Sequence, residues 1–387
     1  MSKVIIAGIG QTPVNEQWNI SLRELAFQAM EAAMQDAGGL RPNALYVGNM
    51  LAAALSRQAQ LGVLLSDFAG LHGIEAATIE AAGASAAMAL RVGYLAVASG
   101  QVDAALVLGV EKLSDQVPAE VEYAMAMASD ADYEAEQGLT LTAQAALLAQ
   151  RYFHEFDVPQ HALAGFPLTA HANGVHNPNA MFRKAVKAET YAKAGMVSAP
   201  LNMFDVAPHA DGAAALLLTR ADLLPPKFPH PLVEISGSSA VSDTLALHDR
   251  PDPLAFNAAR LSVERACKQA GIQPGDADFF ELFDAFSIYS ALSLEAAGFS
   301  ERGQGWKWAQ NGALAPDGEL PIATLGGLKA RGFPGGAAGA YQAAEAVLQL
   351  RGQGGGAQVN GAKIGLVQSL GGPAATAVTH VLRTVKD

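Results

Sequence analysis

The chain has 387 residues and a net charge of −12; half of its residues are apolar and 16% are charged. This composition indicates a folded protein of two or three domains, and it excludes a disordered chain. The negative charge argues against nucleic-acid binding, and no apolar run is long enough for a membrane span. Cys267 is the single cysteine, which excludes an intrachain disulfide and a four-cysteine metal site. Since residues 1–7 lead directly into a predicted strand, we expect no signal peptide and a cytoplasmic protein.

The first part of the chain alternates short apolar segments with longer amphipathic ones. We predict strands at 4–10, 44–48, 76–82 and 103–111 and helices at 21–37, 56–71 and 84–98. Ser21 and Glu24 have the spacing of a capping box, and Gly38 and Gly39 are suited to end that first helix. Strands and helices in this alternation indicate a sheet covered by helices on both faces.

The second part repeats this order of elements. Residues 112–203 differ, with long predicted helices and loops rich in His, Asn and Asp, before an apolar strand at 205–219. Prolines between 225 and 231 mark a domain boundary. A helix end, glycine stop, proline loop and strand at 35–47 then have a counterpart at 268–280. We therefore predict an internal duplication of βα units, with Cys267 buried in one of the later helices.

The segment 323–339 is too rich in glycine for an ordinary helix or strand, because glycine costs about 1 kcal/mol per helical position. From Ala337 onward, apolar residues follow a helical spacing. A glycine loop that opens onto a helix N-terminus presents N–H groups that can hold an anion or an oxyanion. Gly335 and Gly336 are therefore candidate ligands of an anion or an oxyanion.

Four short motifs carry a resemblance to a known family. Residues 332–339 resemble the thiolase signature Gly-His-Pro-x-Gly-Ala-x-Gly, with Phe333 at the histidine position. Residues 80–86 resemble the nucleophile motif Glu-Ala-Ala-Cys-Ala-Ser-Gly, with Gly83 at the cysteine position. Phe283 stands where relatives have Asn or His, and Ser369 where many have a second cysteine. Over its whole length the chain resembles the thiolase superfamily, in particular the archaeal and SCP-x-type acetyl-CoA acetyltransferase-like members, with the usual catalytic groups replaced.

The resemblance implies an α/β fold in which two duplicated βαβαβ halves form a five-layered α-β-α-β-α sandwich. The N-terminal half is expected at 1–111 and 204–224, a loop domain that covers coenzyme A at 112–203, a linker at 225–231 and the C-terminal half at 232–387. The resemblance further implies an acyl-CoA ligand, no required cofactor and no metal. The expected partners are a second copy of the chain and, as a candidate, an OB-fold or zinc-ribbon protein.

The loop domain supplies the remaining polar candidates. Relatives carry a stretch similar to Asn177-Pro178-Asn179-Ala180 near the ligand, which makes His176 a candidate for direct chemistry; a solvated or structural histidine is the alternative. Arg183 and Lys184 are candidates for contacts with the phosphates of coenzyme A, or else one charged helix face. Phe283 and Phe333 predict either a closed former pocket or a tunnel for an apolar acyl chain.

Three functions stay open from the sequence. The first is an acyl-CoA-binding protein of acyltransferase descent that does not run the cysteine-dependent thiolase reaction. The second is a cysteine-independent carbon–carbon lyase of the retro-aldolase type that acts on a CoA thioester. Relatives that cleave steroid side chains carry tyrosines at the positions of Phe283 and Phe333, so this chain lacks both of their phenolic hydroxyls. The third is a non-catalytic scaffold subunit of a complex of thiolase and OB-fold proteins.

Overall fold

The computed structural model describes residues 3–225 and 228–385. Within these ranges the strands are β1 Val4–Gln11, β2 Ala44–Gly48, β3 Glu75–Ile79, β4 Ala104–Glu111, β5 Met196–Ser198, β6 Leu201–Asn202, β7 Gly212–Arg220, β8 Val233–Ser242, β9 Phe279–Glu281, β10 Ile364–Gly371 and β11 Thr376–Thr384. The α-helices are α1 Leu22–Asp36, α2 Ala52–Leu55, α3 Leu61–Phe68, α4 Ser85–Ala98, α5 Pro118–Ala126, α6 Leu141–Glu155, α7 Gly165–Gly174, α8 Ala188–Ala192, α9 Asn257–Ala270, α10 Ser287–Ala296, α11 Gly327–Arg331 and α12 Ala338–Leu350. Strands and helices thus alternate in both halves, as the sequence predicts.

The main sheet has the strand order β3-β2-β4-β7-β1-β8-β11-β10-β9. The halves meet between β1 and β8, where Ile5 pairs with Glu234. In the first half, β1 and β7 pair antiparallel, and β2 pairs parallel with β3 and β4. In the second half, β8 and β11 pair antiparallel, and β9 and β10 pair parallel. A parallel bridge between Phe280 and Ile322 lies where β3 lies in the first half. This repeated order confirms the predicted duplication.

Helices cover both faces of each half-sheet. In the centre, α4 and α12 pack between the halves through side chains such as Leu90 and Val347. On the outer face of the first half, α1 and α3 pack on β2, β4 and β7. On the outer face of the second half, α9 and α10 pack on β10 and β11 together with helices from the 112–203 region. Five layers result, which agrees with the predicted α-β-α-β-α sandwich.

Local signals explain the ends of most elements and one error. Ser21 and Glu24 form the predicted capping box at the start of α1. The helix predicted at 56–71 is confirmed only in part: α3, at Leu61–Phe68, lies within that range, and α2 ends before it at Leu55. Arg57 and Gln60, between them, have left-handed backbone with φ of 52° and 54°, and a residue with positive φ cannot continue a right-handed helix. The strand predicted from 205 begins only at Gly212, because 205–211 forms an irregular segment beside the candidate site.

The predicted linker between the two halves falls partly outside the described residues. The predicted linker at 225–231 includes 226 and 227, which the structure does not describe. In the part of the chain that it does describe, none of the helices combines the length and the hydropathy that a membrane span requires.

Candidate functional site

The site is built around two matching helix starts. A short 3-10 turn at Ala82–Ala84 leads into α4, and another at Gly335–Ala337 leads into α12. Each turn contains a left-handed residue, Ala82 with φ of 50° and Gly335 with φ of 44°. The two helix starts touch, since a Cβ atom added at Gly339 would lie 2.6 Å from the backbone nitrogen of Ala87. The duplication therefore brings two helix N-termini to one point.

The space at Gly83 is filled by protein. A Cβ atom added there would lie 2.7 Å from Cζ of Phe283 and 2.8 Å from the carbonyl oxygen of Leu370. Real Cβ atoms do not approach other atoms so closely, and the Leu370 contact is with backbone. Phe283 itself is buried. A cysteine side chain at this position would therefore require the aromatic ring to move.

Phe333 closes the same space from the side of the second glycine loop. Its ring packs edge-to-face on Phe283, with ring centroids 5.5 Å apart and planes at 90°, which is a favourable geometry for two aromatic rings. The backbone N–H of Phe333 donates to the carbonyl of Pro208 (2.8 Å), and its carbonyl accepts from Ala210 (3.2 Å). We call Gly83, Phe283 and Phe333 the closed centre.

Ser369 lies buried beside α12 and is held by a side-chain amide. Its hydroxyl donates to Oε1 of Gln342 at 2.6 Å. The amide nitrogen of Gln342 in turn donates to the carbonyls of Leu282 (2.9 Å) and Gln368 (3.0 Å). The Ser369 hydroxyl is thus bonded to an amide oxygen rather than to a base that could activate it.

The start of α12 is occupied by a carboxylate of the protein itself. Glu111, at the end of β4, is fully buried and accepts four N–H bonds. The donors are the backbones of Met50, Leu51 and Gly336 and the side-chain amide of Asn49. Burial raises the pKa of Glu111 to about 7 in spite of these bonds. The N–H of Gly336, a candidate oxyanion donor, is therefore already used within the protein.

An open cleft lies near Phe333, which is not among its lining residues. The ring of Phe333 is 6.0 Å from the ring of His209. His209 lines a cavity of about 490 Å³. Its lining also includes Glu122, His171, Phe182, Lys184, Met203, Phe204 and Lys329. We call this cavity the acyl cleft, because its walls are mostly apolar. A larger groove of about 790 Å³ runs along residues 300–319 and shares no lining residue with the closed centre or the acyl cleft.

Five side chains that line the acyl cleft can carry charge or a proton: Glu122, His171, Lys184, His209 and Lys329. Lys329 is buried, its Nζ donates to the carbonyl of Asp205 (2.7 Å), and burial lowers its pKa to about 8. Burial also lowers the pKa of His171, to about 4, so this imidazole is neutral at neutral pH. His209 has its Nδ1 3.6 Å from Oε1 of Glu122. Burial lowers the pKa of His209, and the charge of Glu122 opposes that effect.

The sequence analysis missed His209, Glu122 and Lys329. Lys329 lies inside the glycine-rich segment, and the sequence does not reveal that this lysine is buried. His209 comes shortly before the apolar strand that begins at Gly212 and has no local motif of its own. Only the fold brings α5, which carries Glu122, to His209.

The candidates predicted in the loop domain lie apart from one another. Lys184 lines the acyl cleft, and its neighbour Arg183 is exposed. His176 is exposed and packs against Gly356, beyond the C-terminal end of α12. Since the closed centre lies at the other end of this helix, whose residues each rise about 1.5 Å, the structure does not bring His176 to that centre. Asn173 and Asn177 donate to the carbonyls of residues 322–325 and so hold the glycine-rich segment in place.

The only thiol of the chain is unsuited to nucleophilic chemistry. Cys267 is buried in α9, in an outer layer of the sandwich, as the sequence predicts. Burial raises its pKa to about 11, so the reactive thiolate is scarce at neutral pH. Within residues 3–225 and 228–385, no group of three or more His, Cys, Asp or Glu side chains is arranged to hold a metal ion.

Comparison with known families accounts for both halves of the chain. The thiolase N-terminal domain matches residues 4–222, and the thiolase C-terminal domain-like family matches residues 239–384. The chain belongs to the thiolase family. This confirms the resemblance seen in the four motifs and the thiolase-like α/β fold.

Individual relatives extend over nearly the whole chain. An acetyl-CoA acetyltransferase of Methanothermobacter thermautotrophicus is 40% identical, with 98% of this chain and 99% of the relative covered. The benzoylsuccinyl-CoA thiolase subunit BbsB of Thauera aromatica is 28% identical, with 92% of this chain and 91% of the relative covered. Among solved structures, the Ltp2-ChsH2(DUF35) aldolase superposes with a TM-score of 0.83 at 23% identity, over 99% of this chain and 98% of that one. This last likeness concerns the fold.

Proposed function

We propose that this thiolase-family protein binds an acyl-CoA thioester in the acyl cleft and does not run the cysteine-dependent thiolase reaction. The observation that carries the proposal is the contrast at Phe333. On one side, Phe283 fills the space that a nucleophilic side chain at Gly83 would need. On the other side, the cleft of about 490 Å³ is open and mostly apolar.

The acyl cleft has properties that suit a CoA thioester. Small-molecule sites are mostly apolar cavities of roughly 300–1,000 Å³ with a few polar groups, and this cavity falls in that range. Phe182, Val186 and Phe204 offer apolar contacts for an acyl or pantetheine chain, and Lys184 offers a cationic partner for a phosphate. The acetyl-CoA acetyltransferase relative acts on a CoA ester by its name, and this supports the same ligand class here.

The cysteine-dependent reaction lacks each of its groups. Such a reaction needs a thiolate that can be acylated and an acid–base residue beside it. Gly83 has no side chain, and Phe283 and Phe333 have no proton to transfer. Ser369 donates to an amide, and the Cys267 thiol is held protonated in an outer layer. These side chains support the proposal that the thiolase reaction is lost.

Calorimetric titration with acetyl-CoA, octanoyl-CoA and free coenzyme A tests this proposal. We expect micromolar binding of the esters, with octanoyl-CoA the tighter of the two because more apolar surface is buried. A thiolysis assay with acetoacetyl-CoA and coenzyme A, run beside it, should show no turnover above a protein-free control. Absence of ester binding, or thiolysis by the purified protein, would refute the proposal.

Two alternatives remain as proposals with separate tests. A carbon–carbon lyase is favoured by the histidines His171 and His209 in the open cleft, and it would turn over a CoA ester in the presence of thiol reagents. A scaffold subunit is supported by the relative BbsB, which is named a subunit. It would co-purify with a partner, for which an OB-fold or zinc-ribbon protein is the candidate. Mass photometry would test the predicted homodimer; the cytoplasmic location remains a prediction.

A further inference from the structure

His209 is a titratable group that lines the acyl cleft and lies beside the closed centre. Its ring lies 6.0 Å from the ring of Phe333, and its side chain lines the cavity and is about one quarter exposed (27%). No step of the proposed ester binding requires a histidine here. The residue therefore calls for an explanation of its own.

The backbone around His209 is fixed from both sides. Residues 208–210 pair with Phe333 in a parallel bridge, through the N–H of Phe333 to Pro208 (2.8 Å) and the N–H of Ala210 to Phe333 (3.2 Å). The imidazole consequently stands beside the glycine loop of the second half. The position of His209 is therefore set by backbone hydrogen bonds.

Glu122 of α5 orients the imidazole from the opposite wall. Its Oε1 is 3.6 Å from Nδ1 of His209, which is within reach of an ion pair but longer than a hydrogen bond. Because Nδ1 faces Glu122, Nε2 is the ring nitrogen left for a ligand. The other titratable groups that line the cleft are His171, Lys184 and Lys329. Burial of the ring lowers the pKa of His209 and favours the neutral imidazole, and the charge of Glu122 favours the protonated form.

We propose that His209 is the acid–base residue of the acyl cleft, oriented by Glu122, and that it transfers the proton at the α-carbon of an acyl-CoA thioester. This inference rests on the proposed binding of acyl-CoA. Its support is geometric: of the two imidazoles that line the cavity, that of His209 has the Glu122 carboxylate 3.6 Å from its Nδ1, and its ring lies 6.0 Å from the ring of Phe333 in the closed centre.

The chemistry balances without a further reactant. Nε2 of His209 accepts the α-proton, the C–H bond breaks, and its electron pair becomes the enolate of the thioester. Negative charge then develops on the thioester oxygen, and the ammonium of Lys329 in the wall of the cleft can stabilise it. In the cleavage of a β-hydroxyacyl-CoA, the base takes the hydroxyl proton, the Cα–Cβ bond breaks to give a carbonyl compound, and the same nitrogen returns the proton to the α-carbon. The α-proton step is thus the half-reaction that a carbon–carbon lyase shares with simple exchange.

Hydrogen exchange measures this step without knowledge of the natural substrate. The purified full chain is incubated with butyryl-CoA in deuterated buffer, and deuterium in the acyl group is followed by mass spectrometry over a range of pH. We expect exchange well above that of butyryl-CoA alone. His209→Gln and His209→Asn should each lower the rate by about 100-fold or more, the usual contribution of a general base, with butyryl-CoA affinity retained.

Glu122 is a positioning residue, and its test is the pH profile. In Glu122→Gln the anion that raises the pKa of His209 is gone, so the base becomes neutral at lower pH and the lower limb of the profile moves to lower pH. His154→Asn is the matched control, because this exposed histidine of α6 lies outside the cleft; its rate and profile should equal those of the parent. Thermal unfolding of every variant identifies any that fail to fold.

The outcomes separate the two proposals. Failure of butyryl-CoA to bind refutes the proposed function. Binding without exchange in the parent protein overturns the role of His209 and leaves the binding proposal standing. Exchange that survives in both folded His209 variants also overturns it, since another group must then be the base.

Discussion

The closed centre and the acyl cleft differ in the partners of their polar groups. In and around the closed centre, the protein fills its own sites: Phe283 takes the space at Gly83, Glu111 takes the N–H of Gly336, and Gln342 takes the hydroxyl of Ser369. In the acyl cleft, Glu122, His209 and Lys184 line open space. The polar groups around the closed centre are thus bonded within the protein, whereas those of the acyl cleft face a cavity.

Under the proposed loss of the thiolase reaction, this difference indicates where function can remain. A buried hydrogen bond that is satisfied within the protein supports the fold and leaves nothing for a ligand. A half-buried acid or base that lines a cavity still has capacity for one. Changes in the closed centre should therefore act mainly on stability, and changes in the acyl cleft mainly on binding and turnover.

The largest effect is expected from Phe283→Ala. Truncation of a buried phenylalanine costs about 3–5 kcal/mol of the free energy of unfolding, because a cavity replaces its contacts. Phe280→Ala is the matched control: Phe280 is also fully buried but packs on Phe299 rather than on Phe333. Denaturant unfolding should show similar losses for both, while only Phe283→Ala should alter octanoyl-CoA affinity. Equal affinities of the two variants for octanoyl-CoA would show that Phe283 in the closed centre does not influence binding in the acyl cleft.

A second effect, of about 3 kcal/mol, concerns the pH dependence of stability at the start of α12. Burial raises the pKa of Glu111 from its ordinary value near 4.5 to about 7, and each unit of such a shift corresponds to about 1.4 kcal/mol. A raised pKa means that the folded state binds the proton more tightly. The stabilisation is therefore present below about pH 4.5 and is lost as the pH rises through about 7.

Glu111→Gln should remove this pH dependence. Denaturant unfolding of the variant and the parent between about pH 4.5 and 8 gives the difference in their free energies of unfolding, which should shrink as the pH rises. The slope of that difference is the readout, because the substituted amide disturbs the four N–H bonds at every pH. A difference that stays constant over the interval would contradict a raised pKa at Glu111.

Features of the fold that depend on residues close together in the sequence could be predicted best. The capping box, the strands and the duplication follow from periodicity and spacing, which are local signals. The assignment of catalytic positions of the family to Gly83, Phe283, Phe333 and Ser369 rests on the family motifs and stays a prediction. The break between α2 and α3 could not be predicted, because left-handed backbone at non-glycine residues has no reliable sequence signal.

Contacts between distant parts of the chain were beyond the sequence. Glu111 and Gly336 are 225 positions apart, and their hydrogen bond depends on the junction of the two halves. The same holds for the ring of Phe283 at Gly83 and for Glu122 beside His209. The burial of Lys329 could not be predicted either, because the sequence does not show that α11 lies inside the fold.

A smaller effect is expected when the nucleophile position is restored alone. Gly83→Cys forces a side chain into a space where its Cβ would be 2.7 Å from Phe283. Overpacking of this kind costs about 1–3 kcal/mol, so the melting temperature should fall. Intact mass after incubation with acetyl-CoA should show no acetylation, because Phe333 offers no base. In a double variant with Phe283→Ala, the new thiol should react faster with a thiol reagent than in Gly83→Cys. Equal reactivity would mean that the ring does not close the centre.

The smallest effect distinguishes two neighbouring cations at the acyl cleft. Lys184 lines the cavity and Arg183 does not, although both are exposed. An exposed charge pair contributes about 0.2–1 kcal/mol, so Lys184→Ala should weaken acetyl-CoA binding by roughly two- to fivefold, and Arg183→Ala by less. Since salt screens exposed charges, the gap between the two variants should narrow as salt is raised from about 0.05 to 0.5 M in the titration. If Arg183→Ala caused the larger loss, the phosphates would have to lie outside the acyl cleft, and the ligand would enter from the other side of this segment.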